Sequence, residues 1–274
     1  GAVLKDSFLD LRGYPHYAPL PNLEIFANAG FPFTRYADMG NTTVILPASP
    51  TPEEIETFVT LMGHFSRQTG FPALRVTVAN ADAMKTGAKQ DFLVIGTGDD
   101  QPGFDKIADF LPVSLSSGRT QVHDTQGFFS PIHHAWWKAQ QDHTESGDLI
   151  ASGTPDAVIE GVESPFSSDS SIVAIHLKDT PTFAPFMQTF LFVQQASDIQ
   201  GSVSMLLGTR FQSFRPGSAV YHVGMLPWWT RLTLWFTQVP WLAAVFVVIL
   251  AFLFAIWVRN WLRMKARARL KMLD

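Results

Sequence analysis

The strongest constraint on this chain is an uncharged stretch of twenty residues near its C-terminal end, residues 239–258. At about 1.5 Å per residue, a helix of this length reaches about 30 Å, the thickness of a bilayer's hydrocarbon core. A core helix of a water-soluble domain would carry a polar stripe over such a length, and this stretch has none. The sequence therefore predicts one transmembrane helix, over residues 240–258.

Basic side chains follow the apolar stretch at once, whereas few cations precede it. An excess of lysine and arginine marks the cytoplasmic side of a membrane helix. We therefore expect residues 259–274 to form a basic cytoplasmic tail and residues before 227 to lie outside the cytoplasm. The cations that carry this prediction are Arg259, Arg263, Lys265, Arg267 and Arg269.

The charge of the chain divides at the same place. From Trp228 onward there are seven basic residues and one acid, Asp274, whereas the preceding part has 13 basic and 23 acidic residues. So acidic a surface repels nucleic acid, and we expect no nucleic-acid partner. The chain has no cysteine, which excludes a disulfide scaffold and thiolate chemistry.

The chain opens GAVLKDSF, with neither a methionine nor an apolar signal segment. A domain outside the cytoplasm must nevertheless be exported. We therefore expect a processed product or a fragment of a longer exported protein.

A second membrane signal lies directly before the apolar stretch, over residues 226–239. On a helical wheel its large apolar side chains fall within an arc of roughly 120°, and polar residues occupy most of the rest. Tryptophan favours the headgroup region, so this segment is predicted to lie in the membrane plane, with Pro240 at the turn into the span. The alternative is one long kinked helix, which over residues 228–258 would measure roughly 46 Å. The predicted interface anchors are Trp228, Trp229, Leu232, Trp235 and Phe236.

The part before residue 226 is long enough for one sizeable core. Its clearest elements are a strand at 42–47 and a helix that Thr51 caps, with Pro52 at the first position and Glu54 completing a capping box. We expect Gly70 to end this helix. Ile55, Phe58, Val59, Met62 and Phe65 form its predicted apolar face.

Strands predicted at 74–79, 92–96, 158–163, 171–177, 203–207, 210–214 and 220–224 alternate with helices at 104–111 and from Pro181 onward. This alternation favours an α/β domain over residues 41–225 with a mainly parallel sheet. Residues 1–40 are rich in proline and show little periodicity. They are predicted to be a linker or the tail of a preceding module.

Candidate catalytic and ligand-binding patterns are weak. Gly96-x-Gly98 follows a strand, but a dinucleotide site needs a third glycine, and the acids Asp99 and Asp100 would meet the phosphates. The histidines at 133, 134 and 143 lack metal-site spacing. The Arg263-x-x-x-Arg267 pair has no surrounding domain to complete a nucleotide pocket, and attraction to anionic lipid accounts for it. We predict no catalytic, cofactor-binding or metal-binding residues.

One long block resembles a known family. The run LPNLEIFANAGFPFTRYAD at 20–38, the strand at 42–47, the Thr-Pro-Glu-Glu start at 51–54 and the terminal aromatic helix, span and basic tail resemble BcsB. BcsB is the periplasmic, membrane-anchored subunit of bacterial cellulose synthase. The resemblance implies that this chain is the last flavodoxin-like domain plus the membrane anchor, without the carbohydrate-binding modules.

The resemblance also implies a non-catalytic role in the bacterial inner membrane, with the bulk of the chain in the periplasm. The catalytic subunit would use UDP-glucose and respond to cyclic di-GMP, while this chain would support it and guide nascent cellulose, without a cofactor of its own. Self-association is possible, and membrane lipids are further partners. Residues expected to pack on lipid or partner helices are Trp241, Phe246, Leu250 and Phe254.

Two other classes of protein remain open from the sequence. One is a single-span sensor ectodomain, although residues 259–274 are too short for an output domain. The other is a membrane-tethered carbohydrate-active enzyme, which would need two carboxylates roughly 5 to 9.5 Å apart in a cleft.

Overall fold

The computed structural model of the chain describes residues 17–87, 89–98, 101–116, 119–122, 155–191, 198–216, 220–224, 226–238 and 240–270. The chain divides into two compact units, residues 1–224 and 225–274. The histidines at 133, 134 and 143 and the acids at 99 and 100 lie outside the described residues.

Unit 1 is a mixed α/β domain. Its helices are α1 (Leu23–Ala29), α2 (Pro52–Thr69), α3 (Pro102–Asp105) and α4 (Phe183–Leu191). Its strands are β1 (Tyr17–Leu20), β2 (Thr42–Ile45), β3 (Thr77–Ala79), β4 (Asp91–Thr97), β5 (Val113–Ser116), β6 (Arg119–Val122), β7 (Ala157–Glu163), β8 (Ser171–Leu177), β9 (Val203–Leu207), β10 (Arg210–Phe214) and β11 (Tyr221–Gly224).

Seven strands form the central sheet, in the order β10-β9-β7-β8-β4-β2-β3. The half containing β3, β2, β4 and β8 is parallel, with Phe92 of β4 opposite Ile172 of β8. The half containing β8, β7, β9 and β10 is antiparallel. The prediction of a mainly parallel sheet is therefore wrong, and the sheet is evenly mixed.

Short connections explain the antiparallel half. Parallel neighbours need a crossover of about a dozen residues or more, whereas residues 164–170 join β7 to β8 directly. Strands β9 and β10 form a hairpin through Gly208 and Thr209, and Gly208 has a φ of 65°, a value that glycine adopts without strain. These loop lengths are readable in the sequence, so the antiparallel pairing of β7 with β8 and of β9 with β10 is predictable from them.

Packed side chains cover both faces of the sheet. On one face α1, α2 and α4 contribute an aromatic cluster that includes Phe26, Phe65 and Phe190. On the other face Ile107 and Leu111 pack with Met84 against β4 and β8. The domain therefore has three layers, with the sheet in the middle.

Helix α2 begins and ends as the sequence predicts, with Thr51 as N-cap, a complete capping box and Gly70 in a left-handed conformation after its last turn. Its buried face differs from the prediction. Met62 and Phe65 are buried, but Ile55 and Val59 are 45% and 57% exposed. The helix is rotated because Glu54 turns inward to the sheet, which brings Thr57 and Leu61 into the buried face instead.

The described residues before 41 are part of the domain rather than a linker. Strand β1 pairs with β11, and α1 places Leu23 and Phe26 in the core. Gly30 closes α1 with a φ of 71°, and a Cβ there would lie 2.6 Å from the ring of Phe65. The prediction of a linker or tail at 1–40 is therefore wrong over residues 17–40. The apolar residues of this segment are divided between a short strand, a short helix and turns, so they follow no single regular period.

Unit 2 consists of two helices, α5 (Trp228–Gln238) and α6 (Pro240–Leu270). Among the described residues, α6 is the one helix long and apolar enough to cross a membrane, with its candidate span at Ala244–Met264. It continues without a break through the segment predicted to be a separate basic tail.

Candidate functional site

The predicted interface anchors lie on α5, and those with described side chains are exposed. Trp228, Trp229 and Leu232 are 73%, 60% and 49% exposed, and the two indole rings meet edge to face at 5.9 Å. Such large apolar exposure on one short helix is typical of a surface that contacts another apolar phase. The side chains of Trp235 and Phe236 lie outside the described part of the helix.

Three of the predicted packing residues, Phe246, Leu250 and Phe254, lie on α6 at intervals of four, which places them on one face of the helix, whereas Trp241 lies five positions before Phe246 and away from that face. Phe246, Leu250 and Phe254 are 49%, 48% and 63% exposed, and the side chain of Trp241 is not among those described. Other apolar side chains around α6 are equally exposed, among them Val248 and Trp257. A helix that is apolar and uncovered on all sides has the surface of a membrane span.

The cations of the positive-inside pattern also lie on α6. Arg259 and Arg263 are exposed, and the backbone positions of Lys265, Arg267 and Arg269 continue the same helix. The backbone positions of these cations are therefore continuous with the helix of the apolar segment.

The carboxyl edge of the parallel strands is the usual ligand position in an open α/β sheet. Here a carboxylate of the chain itself, that of Glu54, binds a backbone donor at the N-terminus of α2. Glu54 is 1% exposed, and its two oxygens accept hydrogen bonds from the backbone of Thr51 at 2.9 Å and of Thr97 at 3.0 Å. The carboxylate of Glu54 thus lies at the helix N-terminus, where a phosphate binds in nucleotide-binding proteins of open α/β architecture.

The Gly96-x-Gly98 turn lies at this same edge. The backbone oxygen of Gly98 contacts the Nε2 atom of His176 at 2.6 Å, and the histidine ring packs against Phe104. A Cβ at Gly96 would meet Gln101 and Phe104 at 2.9 Å, so this glycine is explained by packing. Within the described residues, no group of three His, Cys, Asp or Glu side chains could hold a metal ion.

The opposite edge of the sheet contains a buried polar cluster, which we call the amino-edge cluster. Asp91 begins β4 and accepts hydrogen bonds from the guanidinium of Arg35 at 2.7 Å, the side chain of Asn41 at 3.2 Å and the backbone of Ser171 at 2.9 Å. The hydroxyls of Ser171 and Tyr221 share a hydrogen bond, and Tyr221 donates to the carbonyl of Val162 at 2.7 Å. The cluster consists of Arg35, Asn41, Asp91, Ser171 and Tyr221.

Burial dominates the electrostatics of this cluster. Asp91 is fully buried, which raises its pKa to about 6, although the positive charge of Arg35 and the hydrogen bonds from Ser171 and Asn41 act to lower it. Burial also raises the pKa of Tyr221, so this phenol stays protonated and can donate to Val162. The cluster joins four segments that are distant in the sequence, at residues 35–41, 91, 171 and 221.

A second buried acid lies on β7. Glu160 is 3% exposed and accepts a 2.7 Å hydrogen bond from the backbone of Val113, the first residue of β5. Burial raises its pKa to about 8, and the bond from Val113 offsets this only in part. At neutral pH the side chain is therefore mainly a protonated acid.

Sequence reasoning did not identify Asp91, Tyr221 or Glu160 as buried polar groups. For Arg35 a signal existed, because it is the one cation within the block at 20–38 that carries the resemblance. For Glu160 the signal was an acid in the middle of an apolar strand.

Comparison with known proteins identifies the family. The model for the second FD domain of the cellulose synthase subunit BcsB matches residues 16–175. The chain belongs to the BcsB family. A cyclic di-GMP-binding protein of Xanthomonas axonopodis pv. citri (strain 306) is 34% identical over 98% of this chain and 34% of its own length.

Two further relatives extend the comparison. The cyclic di-GMP-binding protein of Escherichia coli (strain K12) is 33% identical over 97% of this chain and 33% of its own length. Cellulose synthase 2 of Novacetimonas hansenii is 34% identical over 84% of this chain and 15% of its own length. This BcsB-family chain therefore spans about a third of the two cyclic di-GMP-binding relatives.

Proposed function

We propose that this chain is the membrane-anchored, membrane-proximal part of a non-catalytic subunit of bacterial cellulose synthase. One observation supports this most directly: a BcsB-family domain is followed by a helix with exposed tryptophans and then by a helix long and apolar enough to cross a membrane. In this proposal α5 lies in the membrane interface through Trp228, Trp229, Leu232, Trp235 and Phe236. Helix α6 crosses the bilayer, with Trp241, Phe246, Leu250 and Phe254 facing lipid or partner helices.

The orientation follows from the charge distribution. The cations after the span support a cytoplasmic C-terminal end, and in this proposal the acidic unit 1 lies in the periplasm of a single-pass inner-membrane protein. There it would support the catalytic subunit and guide nascent cellulose, with membrane lipids as further contacts. Self-association is compatible with this arrangement.

The proposed role does not include catalysis or a resident cofactor. Unit 1 is proposed to be flavodoxin-like in shape only, because Glu54 occupies the anion position at the carboxyl edge. We therefore propose that UDP-glucose and cyclic di-GMP bind to the catalytic subunit. In this proposal the name "cyclic di-GMP-binding protein" of the relatives describes the complex in which they take part. Co-purification of a multi-span glycosyltransferase would separate this role from a sensor ectodomain or a tethered carbohydrate-active enzyme.

The test is polymer synthesis in reconstituted membranes that contain the catalytic subunit. Deletion of residues 226–274 is expected to abolish most synthesis, because the anchor is lost. Within the full chain, the double substitution Trp228→Ser/Trp229→Ser is expected to reduce synthesis severalfold. Phe71→Ser/Leu74→Ser, which changes exposed apolar residues of unit 1, is the matched control and should keep more activity. Full synthesis after the deletion would refute the proposal.

A further inference from the structure

Helix α6 is longer than a membrane span requires. It runs from Pro240 to Leu270, twelve residues beyond Val258, where the apolar stretch ends. At about 1.5 Å per residue this extension reaches about 18 Å past the hydrocarbon core. The extension is helical to Leu270, so the backbone positions of its cations lie at set depths along one axis.

Two of these cations lie at the depth of the lipid headgroups. The headgroup layer is about 5 to 7 Å thick on each side of a bilayer. Arg259 and Arg263 lie about 1.5 and 7.5 Å beyond Val258 along the helix axis, so both guanidinium groups fall within reach of that layer. The later cations, beginning with Lys265, lie further into the aqueous phase.

The two arginines share one face of the helix. Residues four apart differ by about 40° around the axis, so Arg259 and Arg263 stand one above the other, with position 267 continuing the row. Trp257 and Trp261 lie about 160° away and are 61% and 43% exposed. The helix therefore has a cationic face and an aromatic face at the level of the interface.

Neither arginine has an ion-pair partner among the described residues. Arg259 and Arg263 are exposed, and no described residue forms an ion pair with them. The sequence contains no acid between Trp228 and Leu273 that could do so. Within the described part of the chain, these guanidinium groups are therefore open to an anion from outside the protein.

We propose that Arg259 and Arg263 form a binding site for the phosphate headgroup of an anionic phospholipid at the cytoplasmic boundary of the membrane. This inference rests on the proposed function, in which α6 crosses the bilayer. A guanidinium binds phosphate in a bidentate manner, and two of them one turn apart can hold one headgroup from two sides. Each cation near an anionic leaflet contributes about 1 kcal/mol, which for two corresponds to a preference of about thirtyfold.

A lipid phosphate fits this site better than a soluble phosphate ligand. An exposed helix offers no second wall to enclose a free nucleotide. The acyl chains of a lipid already hold its phosphate at the depth of Arg259 and Arg263, which supplies the local concentration that a closed pocket would otherwise provide.

The experiment uses the full chain in detergent, with phosphatidylglycerol and phosphatidylcholine as competing probes and native mass spectrometry of the retained lipid. We expect the wild type to prefer phosphatidylglycerol by about ten- to thirtyfold, and Arg259→Gln/Arg263→Gln to show almost no preference. Arg67→Gln/Arg210→Gln removes two exposed cations of unit 1 and should keep the full preference. Arg259→Lys/Arg263→Lys keeps the charge and the orientation of the helix, and should retain part of it.

Three results would overturn the inference. The first is equal lipid preference in the glutamine variant and the wild type. The second is saturable binding of cyclic di-GMP that requires Arg259 and Arg263, which would assign the site to a soluble nucleotide. The third is inaccessibility of a Leu270→Cys label from the cytoplasm, which is clean to measure because the chain has no cysteine. This last result would also refute the proposed function, whereas the first two would leave it intact.

Discussion

Asp91 and Arg35 form an ion pair that water scarcely reaches, since their side chains are 0% and 11% exposed. Removing one partner of such a pair leaves the other charge buried, and this costs about 3 to 5 kcal/mol. We expect Asp91→Asn and Arg35→Met each to destabilise unit 1 by about that amount in urea unfolding.

The double variant decides whether the loss comes from the pair. Because neither charge is then left alone, Arg35→Met/Asp91→Asn should be at least 1 kcal/mol more stable than the sum of the single effects predicts. Additive effects would mean that Asn41 and Ser171, rather than Arg35, compensate the charge of Asp91.

Glu160 makes the stability of the domain depend on pH. Its pKa rises from 4.5 to about 8 on folding, so the folded state holds a proton that the unfolded chain has released. The stability that this bound proton contributes is fully present below pH 4.5 and is lost as the pH rises to about 8. Asp91 makes stability fall with rising pH in the same way, between its ordinary pKa of 3.8 and its raised pKa of about 6.

Glu160→Gln should remove most of that slope between pH 6 and 8, because glutamine mimics the protonated acid and its oxygen can still accept from Val113. At pH 7 the variant should be more stable than the wild type by about 1 to 3 kcal/mol in urea unfolding. Glu56→Gln, at an exposed position of α2, is the control and should leave the slope unchanged. A steeper slope in Glu160→Gln would contradict the assignment.

At the scale of the element, the start of α2 depends on two side chains. Thr51→Ala removes one cap and should cost about 1 kcal/mol in urea unfolding. Glu54→Ala should cost more, about 2 to 3 kcal/mol, because it leaves the backbone donors of both Thr51 and Thr97 without their acceptor. Glu53→Ala, one position earlier, is the control, with an expected effect below about 0.5 kcal/mol.

In helix α2 some features are predictable from the local sequence and others are not. The cap at Thr51, the capping box and the end at Gly70 are each encoded within a few residues, and all three are confirmed. The rotation of the helix depends on the bond between Glu54 and Thr97, which are 43 positions apart. Two residues of the predicted apolar face, Ile55 and Val59, are exposed for that reason.

For the whole molecule, the position of the last strand determines where the chain can be divided. Among the described residues, all members of the buried apolar clusters lie before Gly224, and β11 contributes Tyr221 and Val223 to one cluster. A fragment ending at Gly224 is therefore expected to unfold cooperatively in urea, as a folded domain does. A fragment ending at Phe214 lacks β11 and should lose several kcal/mol of stability. Similar stability of the two fragments would show that β11 is dispensable.

The sequence by itself determined the features that depend on contiguous residues. The apolar stretch of α6, the amphipathic character of α5, the capped start of α2 and the positions of most strands follow from local composition and spacing. The family resemblance, carried by the block at 20–38, was confirmed as well. The cation at 259 and those after it were identified, but their continuation of the helix to Leu270 was not.

Only the tertiary structure decided the direction of β7, the inclusion of residues 17–40 in the core and the burial of Asp91, Glu160 and Tyr221. Each of these depends on contacts between residues far apart in the chain, such as the 56 positions between Arg35 and Asp91. Local patterns report which face of an element is apolar. They do not report which distant segment covers that face, because this depends on the packing and hydrogen bonding of the complete fold.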